Sequence, residues 1–141
     1  MGLFDFISKD KNINIANEKE AFYSIIYACA AVDGEIAPEE IEQLNNLVTK
    51  KELFKGVDID ELNKKVHQLF KEAGSSSGTL IMKAIPKLSN SQREICYVTA
   101  LQLFLADGSV QGSEMKLLED LQEALGIKEA RAAELSRSIE N

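Results

Sequence analysis

A short acidic phrase occurs twice in this chain, 74 residues apart. The first copy runs from Asp33 to Glu40 and the second from Asp107 to Glu114, and both read Asp-Gly-x-(Ile/Val)-x-x-x-Glu. An apolar run precedes each aspartate, and a leucine-rich pattern of helical spacing follows each glutamate. A repeat of this kind is typical of a duplicated helix-loop-helix unit. It predicts a fold of two related halves, in which each copy of the phrase connects two helices.

The rest of the chain carries further helix signals. Capping residues with a Glu or Gln three positions later occur at Asn17, Asp58 and Ser89. Pro38 suits the first turn of a helix, where its missing N–H costs nothing. No segment shows the alternation that indicates a strand. The sequence therefore predicts an all-α, single-domain bundle of about seven helices, built from two related helix-loop-helix halves.

The domain boundaries follow from composition. Residues 1–16 are expected to form an N-terminal segment, and residues 17–141 a helical domain. Within that domain, the first half is expected to span about 17–73 and the second about 79–141. Residues 74–78, Gly-Ser-Ser-Ser-Gly, predict a flexible linker between the halves.

Two helices are expected to supply much of the core. The helix after Asn17 carries an apolar face made of Phe22, Ile25, Ile26, Cys29 and Val32. The helix after Ser89 has an apolar face of Ile95, Val98, Leu101 and Leu105, and further apolar residues around most of its girth. A helix that is apolar on all sides is usually buried, so this second helix is expected to be the central one.

Composition and charge exclude several classes of function. The chain has 16 basic and 23 acidic residues and a net charge of −7, which argues against nucleic acid as a partner because phosphate binding needs a cationic face. No secretory signal and no apolar run of transmembrane length is present. Cys29 and Cys96 form no CxxC motif, and they are expected to be buried free thiols. These features predict a cytoplasmic protein without a transmembrane segment.

The acidic phrase matches the second half of a calcium-binding EF-hand loop. With Gly34 aligned on the invariant glycine of that loop, Asp33 takes position 5 and Glu40 position 12. Positions 1 and 3 would then be Cys29 and Ala31, which offer no hard oxygen ligand, and the second copy has leucines there. An ordinary EF-hand is therefore excluded, whereas a smaller cation site remains open.

Two interpretations of the acidic positions follow. In the first, the phrases bind Ca²⁺ or Mg²⁺, and the candidate ligands are Asp33, Glu40, Asp107 and Glu114, with Glu35 and Glu39 as secondary ligands. In the second, each aspartate accepts backbone hydrogen bonds in a turn, and each glutamate lies in a first helical turn, where acids are favoured. Ser109 and Ser113 make the second copy less acidic, which puts a symmetric pair of sites in doubt.

No catalytic constellation is evident, so the chain is not expected to be an enzyme. The single histidine, His67, lies beside an apolar helical stripe, which favours a surface or partly packed imidazole over a ligand or a general base. A phosphate-binding loop, a zinc-spaced Cys/His cluster and a Ser–His–Asp arrangement are all missing from the sequence. Tyr23, Tyr27 and Tyr97 are expected at the edge of the core. Ca²⁺ or Mg²⁺ is the one cofactor that the sequence suggests.

The two Asp-Gly phrases, with the segments 26–47, 100–121 and the closing 125–127, resemble the tellurite-resistance TerB family. The resemblance implies an all-helical fold, with the family's acidic positions on Asp33, Glu40, Asp107 and Glu114. It also implies a non-enzymatic cytoplasmic stress protein with protein partners, working near the inner membrane with other products of a resistance operon. The alternative is a helical protein–protein interaction module whose loops are purely structural.

Overall fold

The computed structural model describes residues 3–4, 12–32, 36–106 and 112–140 of the chain. Within these ranges the backbone forms helices and no strand. The α-helices are α1 (Glu18–Ala30), α2 (Pro38–Thr49), α3 (Ile59–Glu72), α4 (Ser77–Ala84), α5 (Asn90–Leu105), α6 (Gly112–Ala124) and α7 (Glu129–Glu140). Short 3₁₀ turns follow α2 and α4, at Glu52–Phe54 and Ile85–Lys87. The predicted all-α fold of about seven helices is confirmed.

Several helices begin where the sequence predicts because side chains cap them. Asn17 and Asp58 each accept a hydrogen bond from the backbone N–H three residues later, at 3.0 and 3.2 Å. Ser89 does the same at 3.2 Å, and Oε1 of Gln92 in turn accepts a hydrogen bond from the Ser89 N–H at 2.8 Å. These contacts satisfy N–H groups that have no partner within the helix. Local sequence therefore sets the starts of α1, α3 and α5.

α1 is the central helix of the bundle. Every residue from Ala21 to Cys29 is buried, and α1 packs against α2, α3, α4 and α5. The prediction that α5 is central was wrong, because α5 leaves Ile95 44% exposed, although it does pack against α1, α2, α6 and α7. α1 has the higher proportion of apolar residues of the two helices, so the sequence interpretation that favoured α5 did not follow the apolar content.

Two local predictions need correction. Val32 was placed on the buried face of α1, but it lies beyond the end of that helix and is 48% exposed. The helical spacing no longer applies to it because α1 ends at Ala30. The predicted linker 74–78 is shorter in the structure, since α4 begins at Ser77 and buries it. Ser76 caps this helix by accepting a hydrogen bond from the Thr79 N–H at 3.2 Å.

Six of the seven described helices form two sets of three, and the remaining helix, α4, packs against α1 and α3. In the first set, α1 packs against α2 and α3; in the second, α5 packs against α6 and α7. α2 begins at Pro38 and α6 begins 74 residues later at Gly112, which is the spacing of the acidic phrase. The two sets meet where α5 packs against α1 and α2. α2 and α6 each begin within one copy of the acidic phrase, at its sixth residue.

Candidate functional site

Some of the predicted cation ligands belong to the described residues and others do not. Asp33, Glu35 and Asp107 lie outside them. The structure does describe three of the candidates, all in first helical turns: Glu39 and Glu40 in α2, and Glu114 in α6. Glu39 is exposed, whereas Glu40 and Glu114 are half-buried. Each phrase thus ends in a half-buried glutamate at the start of a helix.

Glu40 caps the helix that contains it. Its Oε1 atom accepts a hydrogen bond from the backbone N–H of Ala37 at 3.0 Å. Ala37 is the residue just before α2 and has no polar side chain of its own, so Glu40 supplies the cap from inside the helix. The positive end of the helix dipole also favours a carboxylate here. Glu40 therefore has a structural role that needs no cation.

Glu114 occupies the position in α6 that Glu40 occupies in α2. Each is the third residue of its helix, counted from Pro38 and from Gly112. Both carboxylates therefore lie in the first turn, where the helix dipole stabilises negative charge. This placement is compatible with a structural acid and equally with a ligand for a bound cation.

The described glutamates do not form a metal site by themselves. Among the residues that the structure describes, no three His, Cys, Asp or Glu side chains lie close enough together to hold a metal ion. A cation bound at Glu40 would therefore need carboxylates from Asp33 and Glu35 as well. Hard oxygen ligands of this kind suit Ca²⁺ and Mg²⁺ rather than softer metals.

A buried polar network, which the sequence analysis did not predict, joins α1, α2 and α3. The Tyr23 hydroxyl donates a hydrogen bond to Oδ1 of Asn45 at 2.8 Å and accepts one from Nδ2 of Asn63 at 2.7 Å. Burial raises the pKa of Tyr23 to about 12, against the smaller opposing effect of the Asn63 hydrogen bond. Tyr23 therefore stays protonated at neutral pH, and it holds the three helices together.

A second polar contact lies one helical turn further along α1. The Tyr27 hydroxyl and Nδ1 of His67 are 2.6 Å apart, and the two rings meet edge to face. Burial raises the pKa of Tyr27. The predicted surface imidazole is correct in that His67 is exposed, but one ring nitrogen is engaged by the tyrosine. The histidine tautomer decides which of the two groups donates the hydrogen bond.

The two contacts also fix the direction of the helices. Tyr23 pairs with Asn63 and Tyr27 pairs with His67, so both pairs are separated by 40 residues. A step of four residues along α1 therefore matches a step of four along α3, which means that the helices run in the same direction. No local pattern in the sequence indicates these contacts, because each joins two helices across 40 residues.

The cysteines are placed as predicted, as buried free thiols. Burial raises the pKa of Cys29 to about 12, and burial likewise raises the pKa of Cys96 well above its ordinary value. Since the thiolate is the reactive form, neither cysteine is set up as a nucleophile or a metal ligand.

Comparison with known proteins supplies a family relationship. A family model described as "Tellurite resistance protein TerB" matches residues 19–137, which is most of the chain. No curated protein and no solved structure matches it. Of the helices formed by the described residues, none is both long enough and apolar enough to cross a membrane.

Proposed function

Since this chain belongs to the tellurite-resistance TerB family, we propose that it is a non-enzymatic protein of tellurite and chemical stress resistance that binds Ca²⁺ or Mg²⁺ through its acidic phrases. The proposed ligands are Asp33, Glu40, Asp107 and Glu114, with Glu35 and Glu39 as secondary ligands in the first copy. In this proposal the protein acts in the cytoplasm, with protein partners near the inner membrane and without nucleic acid.

The position of Glu40 is the observation that carries the cation-binding proposal. Its hydrogen bond to the Ala37 N–H directs the carboxylate toward the start of α2, where the preceding residues of the acidic phrase join the helix. Glu114 has the same place in α6. Two helices that begin 74 residues apart therefore both present a first-turn carboxylate after an aspartate seven residues upstream. Carboxylate oxygens are the ligands that Ca²⁺ and Mg²⁺ prefer in proteins.

The first copy should bind the cation more tightly than the second. It contains Glu35 and Glu39 where the second copy has Ser109 and Ser113. Because the ligand set is about half that of a complete calcium loop, we expect a dissociation constant of roughly 0.1–1 mM, at the weak end of calcium-binding loops. A cation at ten times that constant would stabilise the folded state by about 1.4 kcal/mol. For a chain of this size that corresponds to a rise in melting temperature of about 3–6 °C.

Thermal melting with and without about 10 mM Ca²⁺ or Mg²⁺, at constant ionic strength, tests the proposal. The deciding variant combines Asp33→Asn with Glu40→Gln. Glutamine keeps an oxygen that accepts the Ala37 N–H, so the cap is preserved while the charge is lost. We expect this variant to melt normally without cation and to lose the cation-induced shift. The matched variant Asp107→Asn with Glu114→Gln should keep most of the shift, and a wild-type protein that shows no shift would rule out cation binding.

A second function, a helical interaction module, is favoured by the residues that flank the phrases. Val32, just before Asp33, is 48% exposed, and Met115, just after Glu114, is 51% exposed. Contiguous exposed apolar patches mark protein-binding surfaces, and in this alternative Val32 and Met115 each contribute to such a patch. This alternative predicts no cation-induced shift. It also predicts that Val32→Ser and Met115→Ser leave the melting temperature nearly unchanged, because neither side chain belongs to the core.

A further inference from the structure

Two residues near the N-terminus lie against the helical domain. The backbone N–H of Leu3 donates a hydrogen bond to Oδ2 of Asp120 in α6, at 2.8 Å, across 117 residues of sequence. Leu3 and Phe4 are half-buried and pack against the hydrophobic core. Both precede residues 19–137, the part of the chain that matches the TerB family model. A segment outside the family region is thus held by residues inside it.

Gly78 in α4 provides the space for this segment. A Cβ atom at position 78 would overlap the carbonyl oxygen of Leu3 and would lie 3.3 Å from both the Leu3 carbonyl carbon and the Phe4 Cα. Alanine is normally the better residue inside a helix. The glycine is therefore explained by the close approach of the Leu3–Phe4 backbone, since any larger side chain would exclude it.

Asp120 provides the polar contact. Its side chain is 14% exposed, and its second oxygen, Oδ1, lies 2.9 Å from Nζ of Lys116. Partial burial by itself raises the pKa of Asp120, but the hydrogen bonds from the Leu3 N–H and from Lys116 together bring that pKa below its ordinary value. The carboxylate is therefore ionised at neutral pH, with one oxygen on Lys116 and the other on the N-terminal backbone.

We propose that Gly78 and Asp120 form a binding site, the seat, for the backbone of Leu3 and Phe4. Leu3 and Phe4 act as an intramolecular latch, which detaches from the seat while the helices stay folded. The hydrogen bond from Leu3 to Asp120 and two half-buried side chains hold the latch closed, whereas α1 is enclosed by four helices. Terminal segments with few contacts open at lower free energy than the core.

Hydrogen exchange at the Leu3 amide of the full chain tests the latch. In the wild type, this amide should exchange faster than the amides of α1 such as Ile25, yet slower than an unprotected amide. Asp120→Asn weakens the acceptor and Gly78→Ala blocks the seat. Each should lower the protection of the Leu3 amide by about tenfold, the effect expected for loss of a charge-assisted hydrogen bond. Protection in α1 should not change.

Two matched variants serve as controls. Glu119→Gln neutralises an exposed acid next to Asp120, and Gly112→Ala adds a methyl group in open space. Neither should change exchange at Leu3. If Gly78→Ala fails to fold, Asp120→Asn decides the question alone.

Three results would overturn the latch. In the first, Leu3 protection is the same in the wild type and in the folded seat variants. In the second, α1 loses protection by the same factor as Leu3, which would make the contact part of global unfolding. In the third, Leu3 protection rises with protein concentration, which would assign the seat to the N-terminus of a second copy.

Discussion

The hydroxyl group of Tyr23 accepts a hydrogen bond from Nδ2 of Asn63 inside the bundle, at 2.7 Å, and thereby fixes the position of α3 against α1. The same hydroxyl donates to Asn45 of α2, so one oxygen atom connects three helices. A buried hydroxyl with both a donor and an acceptor partner stabilises the fold only while both partners are present.

Replacing Tyr23 with Phe should lower the free energy of unfolding by about 1–3 kcal/mol, because Asn45 and Asn63 each lose a hydrogen-bond partner. Urea unfolding followed by circular dichroism measures this change. Tyr97→Phe is the matched control, since Tyr97 is also buried but its hydroxyl has no hydrogen-bond partner among the described residues. Equal losses in the two variants would contradict the role of the network.

Replacing Glu40 with Ala should cost about 1 kcal/mol of stability, because the Ala37 N–H loses its acceptor. Glu40→Gln should cost much less, since the glutamine oxygen can accept the same hydrogen bond. Urea midpoints measured without divalent cations separate the cap from any effect of cation binding. Glu39→Ala, at an exposed neighbouring position, is the control and should change stability little. A loss as large for Gln as for Ala would show that the charge matters more than the cap.

Gly126→Ala should destabilise the fold by about 1 kcal/mol. Gly126 follows α6 with φ of +75°, and an added Cβ would meet no atom within 4 Å, so backbone strain alone is responsible. Thermal and urea midpoints measure the effect. Gly112→Ala also adds a methyl group in open space but carries no positive φ, and it should not destabilise. Similar results for both glycines would refute the strain argument.

Stability should fall as pH rises from about 9 toward 12. Burial raises the pKa of Cys29 from 9.0 to about 12 and that of Tyr23 from 10.0 to about 12. In this window the unfolded chain loses these protons while the folded chain keeps them, so the slope of stability against pH is negative. The contribution is complete below pH 9 and disappears as pH approaches the folded-state values.

Urea midpoints at pH 8 and pH 10.5 measure this dependence. Cys29→Ala should show a shallower decline than the wild type, because one of the raised pKa values is removed. A wild-type midpoint that does not fall across this range would contradict the assigned burial of both groups.

Helix starts could be predicted from the sequence because a cap depends on residues within three positions of each other, as at Asn17, Asp58 and Ser89. The contact of Tyr23 with Asn63 could not be predicted, because it depends on the rotation of two helices that are 40 residues apart in sequence. Which side of a helix is covered depends on helices elsewhere in the chain.

The candidate site was also predictable from the sequence only in part. Residue types and spacing predict the acidic ligands, but Asp33 and Asp107 lie outside the described residues. The cap that Glu40 forms was not predicted, because the sequence analysis placed Glu40 in a first turn without identifying its partner. Ala37 offers no side-chain acceptor that would have pointed to a cap. The contact between Leu3 and Asp120 spans 117 residues of sequence, and no local pattern could have indicated it.

The enclosure of α1 has a consequence for synthesis on the ribosome. Of the helices that the structure describes, α1 is made first, but α5, which covers part of it, is complete only about 75 residues later, at Leu105. At roughly 5–20 residues per second, the nascent chain carries this helix without its full cover for about 4–15 s. During that interval residues 21–29 expose apolar side chains that the finished protein hides completely. Until α5 has been made, the nascent chain therefore exposes apolar surface of the kind that aggregates and that chaperones bind.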